Sequence, residues 1–121
     1  MKNNRLTKRE CDIMEILWHS EEPLLASEIK DQNDELSIYT IQQVLKRLMN
    51  MGFVEVSGIG YNKKSIARKF KPAISEAQFI QNTVDEKIGR EFTLNFVSQT
   101  KDKELINELQ EIINQKKKEL E

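Results

Sequence analysis

The period of the apolar residues changes once, at Gly52. Before it, Ile41, Val44, Leu45 and Leu48 recur at three- and four-residue spacing, the stripe of an amphipathic helix. After it, Phe53-Val54-Glu55-Val56-Ser57 reads as a strand. Gly52 suits the left-handed position that closes a helix, so the two elements meet at a tight turn. That junction divides the first part of the chain into helices before it and a hairpin after it.

Upstream, Thr7 and Glu10 stand at the spacing of a capping box, and Ile13, Met14, Ile16 and Leu17 follow at helical period. A first helix is predicted over about 7–19, ended by the turn 19–23. A second, over 27–32, buries Ile29, and Ser37 caps the third. Downstream, Gly58-Ile59-Gly60 is expected to break the first strand, Ile66–Phe70 to return, and Tyr61–Ser65 to form a polar, basic tip before Pro72. Three helices followed by a basic two-stranded hairpin is the order of a winged helix-turn-helix. From Ser75 the pattern is helical again. One helix uses Phe79, Ile80, Val84 and Ile88 until Gly89 ends or interrupts it; Phe92, Leu94, Phe96 and Val97 form a short apolar segment. A last helix over about 102–119 carries Leu105, Ile106, Leu109, Ile112 and Ile113 on one face. The expected architecture is mainly α with a small β-hairpin: a winged-helix domain over 1–72 and a three-helix dimerisation region over 73–121. The C-terminal helices bury too little surface to stand alone, which implies a second copy.

The net charge of −1 hides a segmental pattern. Residues 1–36 carry five Lys/Arg against nine Asp/Glu, and residues 73–121 carry seven against ten. Residues 37–72 carry Lys46, Arg47, Lys63, Lys64, Arg68, Lys69 and Lys71 against Glu55 alone. Local charge governs binding to a polyanion more than whole-chain balance does, so this segment points to nucleic acid. The same segment as a protein-interaction module is the reading from another class, and its one-signed charge speaks against it. One cysteine, Cys11, excludes an internal disulfide and a cysteine metal cluster within one chain. With one histidine, His19, no nucleophile–base set and no glycine-rich phosphate loop, neither catalysis, a metal nor a cofactor is expected. No stretch approaches the ~20 apolar residues of a membrane span, and Met1–Asn4 opens no secretion signal, so a cytoplasmic protein without stable membrane association is expected.

The third helix supplies the recognition chemistry. Opposite its apolar stripe lie Tyr39, Gln42, Gln43 and Lys46. Glutamine can bond adenine N6 and N7 together, and lysine can donate to guanine. Ser37, Thr40 and Arg47 suit phosphate contacts that set register, and Lys63, Lys64 and Arg68 on the hairpin suit flanking phosphates or the minor groove.

Leu6-Thr7-Lys8-Arg9-Glu10 leading to Ile16-Leu17-Trp18, the run Tyr39 to Leu48, Gly52-Phe53-Val54 and Phe70-Lys71-Pro72 together resemble the penicillinase-repressor family. These are the BlaI/MecI repressors, with the copper-responsive CopY repressors as relatives. The resemblance implies a homodimer on double-stranded, inverted-repeat operator DNA of β-lactamase and sensor genes, hence antibiotic resistance. It implies a dimer held by Phe79, Ile80, Val84, Ile88, Phe92, Leu105, Leu109, Ile112 and Ile113. In antibiotic-responsive members a membrane sensor signals and the repressor is cut at an Asn–Phe bond, which carries over here to Asn95–Phe96 within Leu94-Asn95-Phe96-Val97. Residues 73–121 lack the C-terminal cysteine cluster of the copper-responsive branch, which argues against copper or zinc as inducer. The alternative is a winged-helix regulator controlled by a small ligand or a partner protein instead of proteolysis.

Overall fold

Thr7 opens the first helix as its spacing from Glu10 predicts. In the computed structural model, which describes residues 6–121, Glu10 N donates to Thr7 Oγ1 (3.2 Å) and Thr7 N donates to Glu10 Oε1 (2.9 Å). Such a cap contributes about 1 kcal/mol. The expectation for Met1–Asn4 lies outside the described residues. The helix, α1, spans Lys8–Trp18 and buries Ile13, Met14 and Leu17. A two-residue strand, β1 (Leu24–Leu25), precedes α2 (Ala26–Gln32), which buries Ile29. After a turn that buries Leu36, α3 spans Ile38–Asn50 with Ile41, Val44, Leu45 and Leu48 inside. Met51 closes α3 and Gly52 takes φ 81°, the left-handed conformation expected of it.

The hairpin differs from expectation in a way that matters. β2 runs through Val54–Asn62 and β3 through Ser65–Pro72, so Gly58-Ile59-Gly60 does not break the strand. The ladder passes from Val56↔Phe70 to Ile59↔Arg68, using one more residue on β2 than on β3. Gly58, at φ 92°, absorbs that residue as a bulge, a conformation a side chain would strain. β1 adds to the other edge of β3 through Leu24↔Phe70 and Leu25↔Lys69, making a three-stranded antiparallel sheet in the order β1-β3-β2. The two leucines were not legible as a strand because so short an edge has no period.

One core joins these parts: the buried side chains of α1, α2 and α3 pack with Leu36, Val54 and Phe70. The unit they form extends through Thr83, beyond the boundary expected at residue 72. It includes α4 (Glu76–Thr83), whose Phe79 ring lies 5.6 Å from Trp18 and 5.8 Å from Phe53 between centroids. The Trp18 indole N–H donates to the Ile74 carbonyl at 2.8 Å, tying the approach to α4 onto α1. Phe79, expected in the dimer, is therefore placed against its own N-terminal unit by two aromatic neighbours that sequence spacing cannot reveal.

The second unit begins at Val84 and holds α5 (Glu86–Gln99) and α6 (Lys103–Leu120). Asp85 caps α5 by accepting from Ile88 N at 2.9 Å, and Asp102 caps α6 through Leu105 N at 3.1 Å. Gly89 neither ends nor interrupts a helix; α5 runs through it, and the break falls at the Asp85 cap instead. The apolar segment Phe92–Val97 is the continuation of α5. No residue of α5 or α6 is buried.

Candidate nucleic-acid interface

Burial of Ile41, Val44, Leu45 and Leu48 to within 1% of completeness sets the rotation of α3. The opposite face then projects Tyr39, Gln42, Gln43 and Lys46, all exposed. Polar amide and ammonium groups held on a rigid helix, away from the core, can meet base edges without unfolding anything. Ser37 is the N-cap: its hydroxyl accepts from Thr40 N (3.0 Å) and donates to Thr40 Oγ1 (3.0 Å). It starts α3 in register, and Thr40 is half-buried beside it.

Arg47 has an internal partner. Its Nε donates to Glu10 Oε2 at 3.1 Å, linking the recognition helix to the cap of α1. The Glu10 side chain is 7% exposed against 52% for Arg47, so the carboxylate is the buried member. Burial acts to raise its pKa, but the hydrogen bond from the Thr7 amide and the bond and charge of Arg47 outweigh it and hold Glu10 below the usual glutamate value. The sequence expectation of a phosphate-binding Arg47 did not include this pair, because the partners are far apart in the chain.

The hairpin forms the second wall. Lys63 and Lys64 are its two-residue tip, with Lys63 at φ 60°. The Arg68 guanidinium carbon sits 5.5 Å from the Phe70 ring centroid, a cation–π contact that holds it along the strand. Between α3 and the hairpin lies an open cleft of about 830 Å³, lined by Gln42, Gln43, Lys46 and Arg68 among others. Three of the expected base-reading residues and one expected backbone contact therefore share one concavity. Sequence reasoning missed Ile38, Asn50, Asn62 and Ile66, which also line it. The first two were recoverable, since Ile38, Gln42, Lys46 and Asn50 recur every four residues along α3. The other two needed the strand register. Lys71 pairs with Glu55 at 3.6 Å, whereas among the described residues Lys46, Lys63, Lys64 and Arg68 take part in no ion pair. The cleft rim therefore keeps its positive charge.

Elsewhere the chemistry is poor. The half-buried Cys11 thiol is pushed up by burial and by the charges of Glu15, Asp12 and Glu10, which disfavours the nucleophilic thiolate. His19 Nδ1 lies 2.7 Å from the Glu15 carbonyl oxygen. Among the described residues no group of His, Cys, Asp and Glu is arranged to hold a metal ion, and no helix is long and apolar enough to cross a membrane.

The penicillinase repressor family model matches residues 6–115, from the start of the described chain into α6. The chain belongs to the penicillinase repressor family. It is accordingly a DNA-binding transcriptional repressor built on a winged helix-turn-helix. No curated protein matches it. Among solved structures, it is similar to the Helicobacter pylori ferric uptake regulator Fur, at 20% identity and a TM-score of 0.46, over 81% of this chain and 72% of that one. It is also similar to Streptococcus pneumoniae FabT in complex with DNA, at 9% identity and a TM-score of 0.47, over 96% and 78%. The Giardia lamblia Hop2–Mnd1 complex follows at 14% identity and a TM-score of 0.41, over 92% and 78%. At these scores none of the three bears on what this penicillinase repressor binds or controls.

Proposed function

We propose that this penicillinase repressor is a homodimer that binds an inverted-repeat operator, reading each half-site with α3 and holding it with the hairpin. The observation that carries the reading is the polar face of α3, with Tyr39, Gln42, Gln43 and Lys46 exposed directly opposite a fully buried stripe. Helix-turn-helix proteins use such a face in the major groove, and two-fold symmetry of the protein demands two-fold symmetry of the site. The apolar faces of α5 and α6 supply the dimer contact: Ile88, Phe92, Ile112 and Ile113 are exposed in one chain, and Leu105 and Leu109 are half-buried. Two helices without a buried residue cannot repay their own ordering, so a second copy covering those faces is the simplest source of stability. The controlled genes are of the β-lactamase type.

Release follows from proteolysis at Asn95–Phe96, triggered through a membrane sensor. Both residues are exposed on α5, where Phe96 stacks on Phe92 with centroids 6.0 Å apart. Cutting there separates α6 and the last four residues of α5 from the DNA-binding unit, and the effective concentration of the second half-site is lost. A Phe96 substitution that the protease rejects but the dimer tolerates gives permanent repression; normal induction of that variant overturns the cleavage assignment.

In vitro selection of duplex DNA by the full-length protein at near-physiological salt tests the reading. An inverted repeat of fixed spacing is expected. Replacing Gln43 by Ala then costs about 1–3 kcal/mol at one base pair of each half-site and relaxes the preference there. Equal loss on every sequence removes Gln43 from base reading, and recovery of no sequence at all overturns operator binding.

A further inference from the structure

Among the described residues, Glu10 is the one polar or charged side chain that the fold buries. Capping α1 does not require a buried charge. A capping box works with glutamine as well as glutamate, and the chain uses such a box just before α4. There Ser75 N donates to Gln78 Oε1 (3.0 Å) and Gln78 N donates to Ser75 Oγ (3.0 Å). Burying a carboxylate costs more than burying an amide, and an arginine that is half in water offsets little of the difference. The charge and the second oxygen of Glu10 serve Arg47, which makes the bond through Nε.

Arginine presents a planar fork of donors with two usable edges. With Nε given to Glu10, the edge left over is the pair of terminal nitrogens, which have no other partner among the described residues. Arg47 follows Gln43 by four residues and Thr40 by seven, so the three stand in one row along α3. The row of Ile38, Gln42, Lys46 and Asn50 borders the hairpin cleft. The Arg47 row borders α1, as the bond to Glu10 requires. The polar face of α3 thus has the cleft on one side and a held guanidinium on the other, and a major groove is likewise flanked by a phosphate strand on each side.

We propose that Glu10 is a positioning residue for operator binding: without touching DNA itself, it fixes the Arg47 guanidinium by the Nε edge, so that the terminal nitrogens take two oxygens of one phosphate on the α1 side of the major groove. The inference rests on the operator reading above and adds to it a residue outside the interface. Ordering a flexible arginine on binding costs affinity, and a guanidinium already held avoids that cost. A bidentate arginine–phosphate pair also fixes register, which a point charge does not.

The test uses the full-length protein and duplexes recovered by its own selection, at a temperature where melting shows each variant folded. Glu10→Gln keeps an oxygen for the Thr7 amide and turns an N–H toward Arg47. Removing an acid near a polyanion by itself strengthens binding, whereas loss of position weakens it, so the two effects differ in sign. Glu10→Gln is expected to bind about tenfold more weakly on every sequence alike, the worth of a charge-assisted hydrogen bond. In an Arg47→Ala background the same substitution is expected to cost nothing. Arg47→Lys, which keeps the charge without the fork, is expected to bind as weakly as Glu10→Gln. Methylphosphonates, which neutralise one phosphate at a time, are expected to reveal a position in each half-site that weakens the wild type about tenfold and Arg47→Ala not at all. That comparison does not depend on the Glu10 variant folding. Unchanged or tighter binding by Glu10→Gln, the same loss in the Arg47→Ala background, or wild-type affinity of Arg47→Lys overturns the positioning role and leaves operator binding intact. Absence of any phosphate that separates the wild type from Arg47→Ala overturns the phosphate assignment. Selection of no DNA overturns both readings together.

Discussion

At the scale of single residues, two side chains carry more than their positions in the sequence suggest. Glu10 satisfies the Thr7 amide with one oxygen and Arg47 with the other, from a site almost closed to water. Its pKa is lowered in the folded state, so its contribution to stability is complete above the ordinary glutamate value of about 4.3. That contribution is lost as pH falls through the lowered value. Glu10→Gln is therefore expected to cost about 1–3 kcal/mol at neutral pH, with the gap to wild type closing as pH falls through the lowered value. Thermal melts of both proteins across pH 3–7 check this; a constant gap would show that shape, not charge, is what matters. Lys63 is the second. It holds φ 60° at the hairpin tip, a conformation that costs a side chain about 1–2 kcal/mol and glycine almost nothing. Lys63→Gly is expected to raise the melting temperature while lowering the slope of log affinity against log salt by about 1. Stability and affinity moving in the same direction would contradict a role on phosphate.

At the scale of elements, α4 is the piece whose allegiance the chain order conceals. Its Phe79 completes an aromatic cluster with Trp18 and Phe53, and the Trp18 N–H anchors the Ile74 carbonyl just before it. Phe79→Ala is expected to destabilise the N-terminal unit by about 2 kcal/mol, less than a fully buried phenylalanine because the ring is only half-buried. Trp18→Phe keeps the packing but leaves the Ile74 carbonyl to find water, a smaller loss of about 1 kcal/mol. Chemical denaturation of both variants, followed by amide exchange in α1 and α4, is the check. An unaltered midpoint for Phe79→Ala would return Phe79 to the dimer contact. The bulge at Gly58 is the other decisive element-scale feature, since it turns Ile59 and Tyr61 onto the same face of the hairpin as Phe70 and Arg68.

At the scale of the whole molecule, two units of very different character share one chain. The first has a core of buried side chains from three helices and a sheet; the second has none among its own helices. A dimer formed through α5 and α6 makes thermal stability depend on protein concentration. Phe92→Asp, placed at a site 67% exposed in one chain, leaves the first unit's core untouched and puts a charge on the face proposed to meet a second copy. Sedimentation is expected to give a monomer, with operator affinity down at least a hundredfold through loss of the linked second half-site. A dimer that persists would move the contact elsewhere.

Local periodicity sufficed for α1, α2, α3 and α6, because each is capped or closed by residues next to it and marked by its own apolar stripe. It also showed which face of α3 stays exposed and polar, for the same reason: the side that must be buried defines the side that cannot be. What it could not provide were features made by residues distant in the chain. The strand β1 exists because Leu24 and Leu25 meet the free edge of β3, not because two leucines prefer to be extended. Gly58-Ile59-Gly60 looked like a break since glycine weakens a strand, but the partner strand carries the ladder past it and uses Gly58 as a bulge. Gly89 looked like a helix end by the same rule, and the Asp85 cap placed the break four residues earlier. Arg47 gained an internal partner, and Phe79 an internal pocket, only when α1 came to lie beside them. Sequence determined the elements whose hydrogen bonds and apolar faces are local; tertiary structure decided those whose stabilising partners had first to be brought together by folding.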